Sequence, residues 1–345
     1  MFSPEKLAIL ASAGLPGVPS RQSVPETVRK AGWIIMPDLA VHASFGREVR
    51  RTLPPEVESA LVSPAWELGQ FGPDLWFMHR PWKRRSGRGR HMHTTRTGAF
   101  LTALARQAKD SSSRDLVFSY LAGFLCHYAL DSTAHPWIIY VTAVERRFPR
   151  SHMSLEHALD MAQIARDGFA GEKHPVSSHY FPDAPLPRAL EKDLDAVFEK
   201  VYGWKHAFPA FRRSGKLYLR SYRLLENPGG LAARLARGTK ADLLRSLAYS
   251  ESQFLSLDPE NLEHRTWHHS HDSSVTRSDS FPELREEAAI LARRLILAAW
   301  DYLHGRMPEK DLEALIGSRS YLSGLPTDDE RNHSVASLLP PKSKK

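Results

Sequence analysis

One stretch constrains this chain more than any other. HYALDSTAHP, residues 127–136, sets His127, Asp131 and His135 at intervals of four inside an apolar run. At 3.6 residues per turn, i, i+4 and i+8 fall within an arc of roughly 80°, so the three side chains line one helix face. The neighbours Leu121, Phe124, Leu125, Trp137, Ile138 and Ile139 are hard to reconcile with a solvated stripe. The axial rise separates His127 from His135 by about 12 Å, whereas zinc holds its ligands at about 2 Å. One ion cannot easily take both histidines. Each neighbouring pair can serve one ion, and Asp131 is placed to serve a site on either side. The competing reading is a set of polar groups satisfied within a core. Pro136 is expected to kink this helix or to start a new one.

A second pair at the same spacing follows in HMSLE, where His152 and Glu156 share a face of the next expected helix. Alone such a pair is weak; beside the first motif it gains, because its helix can pack against the one bearing His135. Three further candidates precede them: His42 in DLAVHASFG, Asp74 in GPD, and His93 in HMH, just before a helix. His157 and Asp160 read as surface residues, and WHHSHD, residues 267–272, as a polar loop.

The pattern is helical nearly throughout. Helices are expected over about 95–108, from near Ser113 through ERR, and over about 152–169, with Ser112 and Asp115 forming a capping pattern. Further helices are expected between Ala189 and Leu247 and from SFPEL onward, where Ser280 or Pro282 is the start signal. Residues 63–94, rich in Pro, Gly and Trp, read as a loop. No strand pair or internal repeat stands out. The expectation is an all-α chain with a flexible leader at 1–24, one helical domain at 25–318 and a disordered tail at 319–345.

Taken in order, His42, Asp74, His93, His127 with Asp131, His135, and His152 with Glu156 resemble the pattern of the zinc-dependent phospholipase C family. That family shares an all-α bundle with P1-type nucleases. The resemblance covers about residues 33–160. It implies that Asp74, His93, His127 and Asp131 bind one zinc, that His135, His152 and Glu156 bind a second, and that His42 with a bridging Asp131 helps to bind a third. It also implies that Asp74 orients or deprotonates the attacking water. His135 follows Asp131 by four residues, a closer spacing than in secreted members and a departure from the family pattern.

The expected activity is hydrolysis of phosphodiesters, foremost at phospholipid head groups. The alternatives are a phosphodiesterase or nuclease acting on nucleotides, and a metal-stabilised binding protein without turnover. A formal charge of +8 favours anionic partners, including an anionic membrane surface. The basic loop PWKRRSGRGR could draw such a partner to the site, and Trp76, Phe77 and Trp82 could line an apolar lip or simply fill the core. No apolar run is long enough to span a membrane. The first segment is a poor secretory signal, and the lone Cys126 cannot form an internal disulfide. The expected location is therefore cytoplasmic or peripheral to a membrane.

Overall fold

The computed structural model describes residues 39–79, 87–145, 152–169, 176–181, 188–225 and 257–333. All of them lie in one compact unit, Ile34–Lys345. The expected leader, Trp82 and residues 334–345 lie outside the described residues.

The described chain is all-α, as expected. Its helices are α1 (Leu39–Arg51), α2 (Pro55–Glu58), α3 (Ser63–Gly69), α4 (Gly87–Thr94), α5 (Thr97–Asp110), α6 (Arg114–Ile139), α7 (His152–Arg166), α8 (Ala189–Tyr202), α9 (Phe208–Leu225), α10 (Phe281–Leu303) and α11 (Glu309–Ile316). A 3₁₀ turn, Asp74–Met78, stands between α3 and α4.

Helix α6 is apolar on nearly every side, so its folding problem is to be enclosed. Helices α3, α5 and α10 pack against it. Phe118, Tyr120, Phe124, Leu125, Tyr128 and Trp137 are buried along it. The contact with α3 is a backbone contact. A methyl group on Gly123 would lie 2.2 Å from the Trp66 carbonyl, and one on Gly69 would lie 2.2 Å from the Tyr120 carbonyl. Two glycines at one crossing thus let the helix axes approach more closely than side chains permit.

Several expectations change. Helix α6 runs through Pro136 unbroken and continues into a π turn, Tyr140–Val144. Proline removes one amide, leaving the Ser132 carbonyl without its usual helical partner. Gly324, at φ +68°, packs directly on that carbonyl. The expected cap from Ser112 does not form. Ser113 is the N-cap without a side-chain hydrogen bond, and its amide donates to Ser111 Oγ. At α10 the start signal is a full capping box: Ser280 Oγ accepts from the Glu283 amide while the Ser280 amide donates to Glu283 Oε2.

The described parts of residues 63–94, 63–79 and 87–94, are not a loop. They hold α3, the 3₁₀ turn and α4, each too short to build a recognisable apolar period. WHHSHD is not a loop either. It forms most of a small antiparallel hairpin, Trp267–His269 with Asp272–Arg277.

The segment after Ser318, expected to be disordered, is described as far as His333 and is buried at Ser320, Tyr321 and Ser323. Tyr321 is 1% exposed. The Tyr128 hydroxyl donates to the Ile316 carbonyl and accepts from the Arg319 amide, holding this segment along α6.

Candidate metal centre

All eight expected ligands are among the described residues, and each is buried. Each arrives on a short lever from a rigid element. His42 comes from α1, Asp74 opens the 3₁₀ turn, and His93 ends α4. His127, Asp131 and His135 come from α6, and His152 and Glu156 from the first two turns of α7.

They converge on two separate centres. In the first, His93 Nε2 lies 3.0 Å from Asp74 Oδ1 and 3.6 Å from Asp131 Oδ2. His127 Nε2 lies 3.6 Å from Asp74 Oδ2 and 3.0 Å from Asp131 Oδ2. In the second, Glu156 Oε1 lies 2.7 Å from His152 Nε2 and 3.3 Å from His135 Nε2. The other oxygen of Asp131, Oδ1, faces His42 Nε2 at 3.4 Å. The His42 ring stacks on that of His127, with centroids 4.2 Å apart. Three combinations have ligand atoms close enough for one ion: His42, Asp74 and His127; His93, His127 and Asp131; and His135, His152 and Glu156.

Hydrogen bonding at the far side of the rings decides which nitrogen faces the centre. Nδ1 of His93 lies 2.8 Å from the Gly89 carbonyl, that of His127 3.1 Å from the Gln70 carbonyl, and that of His135 2.9 Å from the Tyr321 carbonyl. A carbonyl only accepts, so Nδ1 is the donor in each ring. A neutral ring then turns a bare Nε2 lone pair inward. This is the outer support that metal-binding histidines ordinarily have.

The donor set fits zinc. Asp74 Oδ1, His93 Nε2, His127 Nε2 and Asp131 Oδ2 are buried and form no hydrogen bond, although they stand within contact distance of one another. Four acceptor atoms packed together repel unless a cation lies among them. With bonds of about 2.1 Å, a tetrahedral ion spaces its ligand atoms about 3.4 Å apart. The four nitrogen–oxygen distances of the first centre, 3.0 to 3.6 Å, bracket that spacing.

The electrostatics lean the same way. Burial alone would push the Asp131 carboxyl up. The imidazoles of His127 and His135 outweigh it and hold that carboxyl well below the usual range. Burial alone would likewise lower His135. The carboxylates of Asp131 and Glu156 reverse this and raise it to about 9. Both centres therefore favour positive charge.

Three contributors are not apparent from sequence. Asp160, expected at the surface, is 1% exposed. Its Oδ1 accepts the Ala40 and Val41 amides at 2.9 and 3.0 Å, capping α1 from α7 just ahead of His42. Its place four residues after Glu156 continues the inward stripe of α7, which is the one signal that could have found it. Asp160→Ala is expected to cost about 1–3 kcal/mol in urea unfolding and to loosen the His42 side of the centre; Asp160→Asn, which keeps one acceptor oxygen, should cost less. Gly72, at φ +47°, is the second, because a Cβ there would lie 2.4 Å from the His127 ring. Tyr321 is the third. Its amide donates to the His93 carbonyl and its own carbonyl accepts from His135, so it touches both centres.

The other sequence candidates do not join. His269 donates through Nε2 to the Ser323 carbonyl and accepts the His271 amide at Nδ1, and His271 pairs with Ser270 Oγ, so these hairpin histidines bind their own loop and the stretch around Ser323. Trp76 and Phe77 are core residues rather than a lip. Arg88 of the basic loop lies between Trp76 and Trp204, 4.7 and 4.6 Å from the ring centres, which fixes α4 rather than presenting a free cation.

Residues 41–208 match the family model described as zinc dependent phospholipase C. Neither a curated protein nor a solved structure matches the chain.

Proposed function

We propose, for a chain whose residues 41–208 carry a zinc-dependent phospholipase C family domain, that it hydrolyses phosphodiesters at phospholipid head groups through a multinuclear zinc site. The observation that carries this reading is the division of the buried ligands into two centres, with Asp131 turning one oxygen to His93 and His127 and the other to His42. A structural zinc needs one closed shell of four ligands. Two adjacent, unequal centres suit a phosphodiester, whose attacking and leaving oxygens need stabilising at separate points.

Asp74, His93, His127 and Asp131 would hold one zinc, and His135, His152 and Glu156 a second. His42 with Asp131 would contribute to a third. When bound, the ions lower the pKa of water and neutralise charge on the phosphoryl oxygens. The chain's own residues set the geometry. The Gly89, Gln70 and Tyr321 carbonyls hold three imidazoles in one tautomer. Asp74 is the proposed acceptor of the water's proton. The water oxygen bonds to phosphorus, the bond from phosphorus to the glycerol oxygen breaks, and that oxygen leaves with the proton that Asp74 took up. The products are diacylglycerol and a phosphorylated head group. Among the described residues no helix is long and apolar enough to cross a membrane.

The test is zinc per purified chain together with hydrolysis of phosphatidylcholine, a soluble phosphodiester and single-stranded DNA. At least two zinc ions and preference for the phospholipid are expected. Preference for DNA would move the assignment to a nuclease, zinc without turnover would make this a binding protein, and a folded zinc-free chain would end the metal reading. A chelator should abolish turnover and lower the melting temperature by about 5 °C, with recovery of both on adding zinc back.

A further inference from the structure

Several arginines of the described surface are neutralised in place: Arg50 by Glu58, Arg106 by Glu309, Arg277 by Asp279 and Arg331 by Asp329. Helix α9 departs from this. Its sequence, FPAFRRSGKLYLRSYRLL, contains no acidic residue. Among the described residues, no carboxylate lies within ion-pair distance of Arg212, Arg213, Lys216 or Arg220, or of Arg188 at the start of α8. Positions 209, 212, 213, 216 and 220 fall on one helical face. Pro209, Arg212, Arg213 and Lys216 line a groove of about 530 Å³ together with Arg188, Phe208 and Glu191. The Arg212 Nε inside it is buried without a hydrogen bond. Leu217, beside Lys216, is exposed.

We infer that this face of α9 docks on an anionic phospholipid surface. Unneutralised cations flanking an exposed leucine on an amphipathic helix match the chemistry of such an interface, with phosphates taken by the cations and the apolar side chain set at the boundary. A single-stranded nucleic acid fits less well. It calls for aromatic platforms among the cations, whereas Phe211 and Tyr218 are fully buried on the opposite side of the helix and Phe208, at the edge of the groove, is itself fully buried. That inner side packs on the turn carrying Asp74, with Phe211 5.3 Å from Trp76. A membrane held by α9 would thus lie against the helix that supports the turn carrying Asp74. The choice of lipid rests on the proposed phospholipid substrate; the cationic face itself does not.

The experiment is co-sedimentation of the zinc-loaded full chain with vesicles of phosphatidylcholine alone and of phosphatidylcholine with phosphatidylglycerol. The wild type is expected to prefer the anionic vesicles and to lose that preference in high salt. The triple variant Arg213→Glu, Lys216→Glu, Arg220→Glu should bind them roughly 100-fold more weakly. A control reversing Arg114, Arg294 and Lys310 to Glu, which lie on α6, α10 and α11, should lose far less. Lys216→Glu alone, expected to weaken binding roughly 5-fold, provides the same test should the triple variant not fold. Equal losses in the control and α9 variants, equal binding to both vesicles, or binding of single-stranded DNA in place of vesicles would overturn the inference. Hydrolysis of a soluble phosphodiester by the wild type reports on the catalytic reading separately, so either can fail alone.

Discussion

Asp131→Asn should leave a folded chain that has lost zinc from the first centre and turns over its substrate on the order of 1,000-fold more slowly. No other single carboxylate reaches so much of the site. Its Oδ2 faces His93, His127 and His135 at 3.6, 3.0 and 3.6 Å, and its Oδ1 faces His42. The amide keeps the shape but removes the charge and turns an N–H toward lone pairs that need a cation. Unfolding measured in chelator, where neither protein holds metal, isolates the fold from the ions. Wild type and variant should then agree within about 1–2 kcal/mol. A variant that retains full zinc and full turnover would remove Asp131 from its proposed role.

The second large effect lies outside the ligands. Gly123→Ala should destabilise the chain by about 3 kcal/mol, because the added methyl meets the Trp66 carbonyl, a backbone atom that cannot rotate away. The same change should weaken zinc binding by roughly 10–100-fold. Helix α3 ends at Gly69, and the next carbonyl, that of Gln70, is the one His127 Nδ1 donates to. Pushing α3 away from α6 moves that carbonyl while leaving every ligand in the sequence. Denaturant unfolding and zinc titration read the two effects apart. A stable Gly123→Ala with undiminished zinc affinity would show that the close crossing is not what positions His127.

How much of this was legible beforehand depends on where the relevant atoms sit. His127, Asp131, His135, His152 and Glu156 act through side chains on regular helices, so a spacing of four in the sequence maps directly onto a shared face. The inference that His127 and His135 serve different ions follows from helical rise, and the two fall in different groups of close ligand atoms among the described residues. Asp160 is on the same stripe but acts across space on the amides of another helix, and nothing local to it reports that partner. Tyr321 was beyond reach for a different reason. It contributes a backbone amide and carbonyl, which every non-proline residue has, from a segment without period. The helices at 63–94 were missed because elements of seven or eight residues, interrupted by Pro and Gly, carry too few turns for periodicity to emerge. The histidines of WHHSHD serve as ordinary hydrogen-bonding groups inside a tight hairpin, too short a strand pair for the sequence to distinguish from a polar loop.

The packed stretch around Tyr321 bears on how the protein is made. Every proposed ligand lies before residue 157, so a ribosome has produced the whole ligand set with more than half of the chain still to come. The carbonyl that orients His135, and the amide that anchors the end of α4, arrive only with residue 321. A chain cut before residue 321 would carry every proposed ligand without that carbonyl and that amide, and is expected to bind zinc more weakly than the full chain in a zinc titration.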